Sequence, residues 1–184
     1  MFTTPFHKIS GKAEQKFASS LFFLFIITSL VMHYFNTFLI NEIAPYGIIS
    51  FELAENTEAS TAILTSWNEL STTVAGLSLG FDFLYLLVYT LFLALLVHKL
   101  NERLWKNTSI YRYGEMLIWL LFITAICDAV ENVALIKLLL GEIQSYWCWV
   151  AYYFAFAKFT FVIITLLYIL FSSIYLLLKK KKNV

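Results

Sequence analysis

Four long runs of apolar residues, separated by short polar segments, dominate the chain. They extend from about Phe17 to Ile40, Val74 to His98, Met116 to Leu140 and Trp149 to Leu178. A helix needs about 20 mostly apolar residues to cross a bilayer, and each run meets that length. The pattern predicts an all-α fold, a four-helix transmembrane bundle that forms a single membrane domain over residues 1–184. The fourth run exceeds one crossing, so it tilts or emerges beyond the headgroups. Pro5 and Pro45 are the two prolines, and both lie outside the runs. Nothing in the pattern therefore asks for a kinked or broken span. Lys8, Lys12 and Lys16 precede the first run as they would in a signal peptide. That run is too long for an h-region, and Ser29-Leu30-Val31-Met32-His33 offers no small-x-small cleavage site, so it reads as a retained span.

The polar segments sort by charge. Lys8, Lys12 and Lys16 stand before the first span, Lys99, Arg103, Lys106 and Arg112 between the second and third, and Lys179 to Lys182 after the fourth. The first loop, 41–73, has no Lys or Arg but carries Glu42, Glu52, Glu55, Glu58 and Glu69, and the third carries Glu142. Basic loops stay on the cytoplasmic side, so both termini are expected there, most simply in a bacterial inner membrane. The lysine tail, 179–184, would sit against anionic headgroups. In the first loop, Thr57-Glu58-Ala59-Ser60 reads as a cap followed by an acid in the first turn. Ala59, Ala62, Ile63, Trp67 and Leu70 then fall on one stripe, which predicts a short amphipathic helix at the outer membrane surface.

Ionisable groups inside spans are costly and usually face the bundle interior. Here they are His33, Asp82, Asp128, Glu131 and Lys158. With a rise of about 1.5 Å per residue, they lie roughly 10 to 18 Å from the outer ends of their spans, although the spans alternate in direction. All four helices thus deliver charge to one layer in the outer half. The faces agree: Ser78, Asp82, Tyr85 and Tyr89 share a side of span two, Thr124, Asp128, Glu131 and Asn132 a side of span three, and His33, Asn36 and Thr37 a side of span one. Lys158 is expected to pair with at least one of the three carboxylates. Three ionised carboxylates beside one ammonium would be poorly compensated, so a proton or a cation should complete the layer. Gly76 and Gly80 have the spacing that lets a neighbouring helix approach closely. Phe22, Phe23, Leu93, Leu96, Leu120 and Leu167 are expected to close the inner half of the bundle.

Composition narrows the function. The chain is 60% hydrophobic and only 14% charged, too few charges to cover a water-facing surface. The segregated charges form no stripe for nucleic acid. Cys127 and Cys148 make no C-x-x-C, which argues against thiol–disulfide exchange, and their depths argue against a disulfide between them. Zinc spacings, G-x-S-x-G and the P-loop are absent, as is the Glu-x-x-His repeat of carboxylate-bridged metal bundles, so no metal or other cofactor is assigned. Lys137, near an outer helix end, is expected to snorkel, His98 at a cytoplasmic end to be solvated, and Tyr146, Trp147, Trp149, Tyr152 and Tyr153 to form an interfacial belt.

Phe51-Glu52-Leu53-Ala54, Trp67, Asp82-Phe83-Leu84-Tyr85 with Tyr89, and Asp128-Ala129-Val130-Glu131-Asn132 form a series. It resembles small, uncharacterised bacterial four-span membrane proteins over about Phe51 to Leu140. That resemblance implies that Glu52 joins the intramembrane acids from above, and it implies no activity. A looser likeness in architecture is to the EXPERA family of sterol isomerase-like and ligand-binding proteins, which have four spans, cytoplasmic ends and buried acids that meet a cationic ligand or intermediate. The chain lacks that family's acid in span one and proline in span two. The expected site therefore comprises His33, Glu52, Asp82, Tyr85, Tyr89, Asp128, Glu131, Asn132 and Lys158, a pocket for a small or lipid-like ligand, a cation or protons. Two other readings stay open: a scaffold or accessory subunit whose charged layer is structural, and an intramembrane enzyme using Asp82, Asp128 or Glu131 as acid and base. Self-association into a homo-oligomer is also left open.

Overall fold

The computed structural model describes residues 5–6 and 11–182, with side chains through Lys179. Lys8, Asn183, Val184 and the side chains of Lys180 to Lys182 lie outside the described residues. The chain is all-helical. The elements are α1 (Gly11–Thr37), α2 (Ile48–Glu52), α3 (Thr57–Ser66), α4 (Glu69–Leu104), α5 (Ile110–Leu139) and α6 (Ser145–Lys182). α1, α4, α5 and α6 are long and apolar enough to cross a membrane. All four begin before their apolar runs, and α4 and α6 also end beyond them, because polar flanking residues continue the same hydrogen-bonded ladders; α1 stops at Thr37, short of Ile40. Phe22, Phe23, Ile27, Leu30, Ile126, Tyr153, Leu167 and Leu170 point outward, a density of exposed apolar side chains that suits lipid and not water.

The long helices alternate in direction. One end of the bundle carries α2 and α3; the other carries Lys99, Arg103, Lys106 and Arg112 and is called the basic end below. α4 and α5 pack together, α5 packs along α6, and α6 also meets α4. Among the long helices, α1 packs along α4 and does not pack along α6. It is a peripheral helix, and its buried residues are Leu21 and Thr28.

Charged residues divide the buried apolar side chains into two cores. One lies at the α2–α3 end, where Phe51, Trp67, Leu79, Leu135 and Leu138 meet. The other, toward the basic end, holds Leu86, Leu93, Leu95, Ile118 and Leu121. The second core closes that half of the bundle, which corrects the expected plug. Leu93 is buried, but Phe22, Phe23 and Leu167 face outward. Phe22 touches Phe92 of α4, with ring centres 5.9 Å apart, yet stays largely on the outside, and helix neighbours, not depth, decide how far each is covered.

The first loop is more ordered than its sequence suggests. α3 forms where the amphipathic helix is expected, but Asn56 and not Thr57 is its cap, accepting from the Ala59 N–H at 2.9 Å. The expected stripe breaks at Trp67, the C-cap. Ser60 and Ile63 are the buried residues of α3, whereas Ala62 and Leu70 are exposed. Trp67 Nε1 donates to Leu39 O at 2.9 Å, and Ser71 Oγ donates to Phe38 O at 2.8 Å. These bonds satisfy carbonyls at the end of α1 that have no helical partner. Gly76 and Gly80 make no close helix approach: a Cβ at 76 would only touch Leu139, and one at 80 would meet open space. His98 is buried, with the Phe6 ring 5.7 Å away, and is not solvated as its position at a helix end suggests. Lys137 pairs with Glu142 at 2.8 Å.

Candidate functional site

Between the two apolar cores, five of the six helices bring polar side chains to one place. α6 supplies Lys158 at its centre. Its Nζ is 3.1 Å from Asp128 Oδ1, 2.9 Å from both oxygens of Glu131 and 3.4 Å from Glu52 Oε2. The three ammonium hydrogens therefore meet three carboxylates. α5 supplies Asp128 and Glu131, one helical turn apart, so both reach the same cation. α2 supplies Glu52, which descends from the α2–α3 end. Asp128 Oδ2 accepts from the Tyr89 hydroxyl at 2.8 Å.

Asp82 of α4 is treated differently. Its Oδ2 accepts from Asn132 Nδ2 at 2.6 Å, and no ion pair reaches it among the described residues. All four acids and Lys158 are buried. The layer thus holds three more carboxylates than lysines. Asn132 Oδ1 and Ser78 Oγ, both buried, have no protein partner among the described residues.

A cavity of about 480 Å³ adjoins this knot. Glu52, Asp82, Asp128, Lys158, Tyr85 and Tyr89 form its polar and aromatic wall, and Asn36 and His33 lie on its α1 side. Glu131 and Asn132 do not line it; they stand behind, holding Lys158 and Asp82. The rest of the wall is apolar, with Phe25 and Met32 from α1, Leu93 from α4, and Phe159, Val162 and Leu166 from α6. His33 and Leu166 line the cavity yet are exposed on the outside of the bundle.

α2 covers the cavity at the α2–α3 end, with Ile48, Ile49 and Glu52 on the wall. Its position is fixed by Asn36: Oδ1 accepts from Ile48 N at 2.8 Å, and Nδ2 donates to Tyr46 O at 3.3 Å. Gly47 between them has φ 62°, and a Cβ there would overlap the Asn36 amide. Glycine is needed at this turn for both reasons.

The apolar wall was not among the expected site residues. Its signal was present as spacing: Val162 and Leu166 follow Lys158 at four-residue intervals, and Phe25, Met32 and Asn36 share a face of α1. The described residues hold no group of three His, Cys, Asp or Glu arranged for a metal ion, and both cysteines are free. Family models, curated proteins and solved structures were compared with this chain, and none of them matches it.

Proposed function

We propose that this integral membrane protein binds an organic cation in the cavity beside Lys158. The observation that carries the reading is a cavity walled by Glu52, Asp82 and Asp128, within a layer that holds three more carboxylates than lysines. Protons could neutralise the layer, but protons need no space of about 480 Å³. A volume of that size suits a drug-sized molecule. Lys158 is occupied by Glu52, Asp128 and Glu131, so the acceptors left for a ligand are on Asp82 and on the free oxygen of Glu52. Tyr85 and Tyr89, with ring centres 5.5 Å apart, add aromatic faces that attract a cation. The distribution of Lys and Arg supports a reading with both termini in the cytoplasm and the cavity in the outer half of the membrane, most simply a bacterial inner membrane.

One observation favours the scaffold reading for part of the layer: Asp128, Glu131 and Lys158 satisfy one another as a buried knot would. That argument does not reach Asp82. The acid–base reading keeps Asp82 and Asp128 on the cavity wall, but Glu131 stands behind it.

The test uses the protein in phosphatidylcholine nanodiscs, with thermal unfolding followed by tryptophan fluorescence. A ligand of the native state raises Tm by mass action. Decylamine should raise Tm, whereas decanol and decanoate at the same bilayer mole fraction should not. Equal effects of the amine, the alcohol and the acid would sink the reading. Orientation is tested separately: Glu58→Cys should react with an impermeant thiol reagent in intact cells, and Lys106→Cys should not.

A further inference from the structure

The cavity has a direction and a mouth, and both bear on what enters it. Its charged wall lies toward the α2–α3 end, and from there it runs toward the middle of the bundle. Along α4, Asp82 to Leu93 spans roughly 16 Å, and along α6, Lys158 to Leu166 spans roughly 12 Å. An extended chain advances about 1.2 Å per bond, so the apolar part accommodates one chain of about ten bonds.

The mouth lies on the side. α1 and α6 both line the cavity, yet they do not pack along each other, and each meets α4. The cavity is therefore a cleft over α4 whose open side is the gap between α1 and α6. His33 on one lip and Leu166 on the other are exposed there. The α2–α3 end is covered instead. Asn36 fixes one end of α2, Glu52 fixes the other through Lys158, and Phe51 is buried beneath it.

We infer that the ligand is a single-chain amphiphile with an ammonium head, and that it moves sideways from the lipid into the cleft between α1 and α6. This inference rests on the cation reading above and adds the ligand's body and its route. The geometry explains why such a molecule fits without turning over. In the leaflet at the α2–α3 end, an amphiphile already holds its head toward that end and its tail toward the bilayer centre. The cleft has the same polarity, with Asp82 and Glu52 at head level and Phe25, Leu93, Val162 and Leu166 along the tail. The head sinks by a few residues of helix depth and exchanges headgroup water for carboxylates and tyrosine faces. A two-chain phospholipid would leave a second chain outside the gap.

The nanodisc assay with decylamine and butylamine separates the two levels of the argument. Both amines are compared at equal bilayer mole fraction. Decylamine should bind at least about tenfold more tightly than butylamine. Leu166→Trp, at the lip and away from the charged knot, should weaken decylamine by about the same factor. Leu167→Trp, on the outward face of the same helix, should not. If butylamine matches decylamine and Leu166→Trp changes neither, the side route and the single chain are wrong while the cation reading survives. If decanol equals decylamine, the cation reading itself has failed.

Discussion

The bundle contains two buried polar layers, and they are built from different chemistry. At the basic end, one buried set of ties between helices is neutral, beside the more exposed Lys99–Glu14 pair at 3.6 Å and the bond that the Tyr111 hydroxyl donates to Glu102. Trp105 Nε1 donates to Ser172 Oγ at 3.0 Å, the Tyr168 hydroxyl to Asn101 Oδ1 at 3.0 Å, and Asn101 Nδ2 to Tyr111 O at 2.8 Å. Asn101 is seated against Gly114, where any side chain would overlap its amide. Both ends of that amide are used, and the Trp105 ring stacks on Tyr175 at 4.8 Å. The layer around Lys158 instead gathers four carboxylates, three of them paired with one cation, and leaves a cavity beside them. The contrast shows that a buried tie between helices needs no charge in this chain. Neutral groups make such a tie at lower desolvation cost. Excess charge at the second layer needs another reason, and a ligand supplies one.

The comparison can be broken first at Lys158. Lys158→Met leaves three buried carboxylates without their cation, and losing one partner of a buried pair typically costs about 3–5 kcal/mol. Thermal unfolding in nanodiscs should show this as the largest loss of any single change considered. Adding Glu131→Gln should restore part of it. An unchanged Tm would mean that Lys158 does not hold the layer together.

The neutral layer should respond less, and without affecting the ligand. Gly114→Ala forces the Asn101 amide to move, an overpacking cost of about 1–3 kcal/mol. Trp105→Phe keeps the stack on Tyr175 but removes the bond to Ser172, for a loss of about 1 kcal/mol. In both variants the Tm rise with decylamine should persist at its full size. A loss of that response in either variant would show that the two layers are coupled, and the division between a tie and a site would fall.

Much of this was legible in the sequence, because a helix has a fixed rise and a fixed period. The four apolar runs gave the long helices, and counting residues from their ends placed Asp82, Asp128, Glu131 and Lys158 at one depth. Lys158 indeed meets Asp128 and Glu131. Periodicity assigns a residue to a face, but it does not say which helix lies opposite. The gap between α1 and α6, the outward turn of Phe22 and Phe23, and the open space at Gly80 all depend on neighbours. α2 escaped notice for another reason. Five residues carry no period to read, and its position depends on a positive φ at Gly47 and on the bond that Ile48 N donates to Asn36, twelve residues earlier. His98 is buried beside Phe6, which is far away in sequence.

The smallest expected effect on stability decides most about function. Asp82 receives one hydrogen bond, from Asn132, and has no ion-pair partner among the described residues. Asp82→Asn keeps an oxygen that Asn132 Nδ2 can reach and removes one of the surplus charges from a poorly solvated layer. Losing that charge offsets any weakening of the hydrogen bond, which is worth about 1 kcal/mol at most. Tm without ligand should therefore stay within the range of that one bond, or rise. The same substitution takes away the carboxylate offered to an ammonium head, so the Tm rise with decylamine should be lost. A purely structural layer predicts the reverse pattern: Asp82→Asn would then lower Tm on the scale of Lys158→Met, and decylamine would act alike on both proteins. Measured side by side, the two variants distinguish a charge that holds the helices from a charge that waits for a partner.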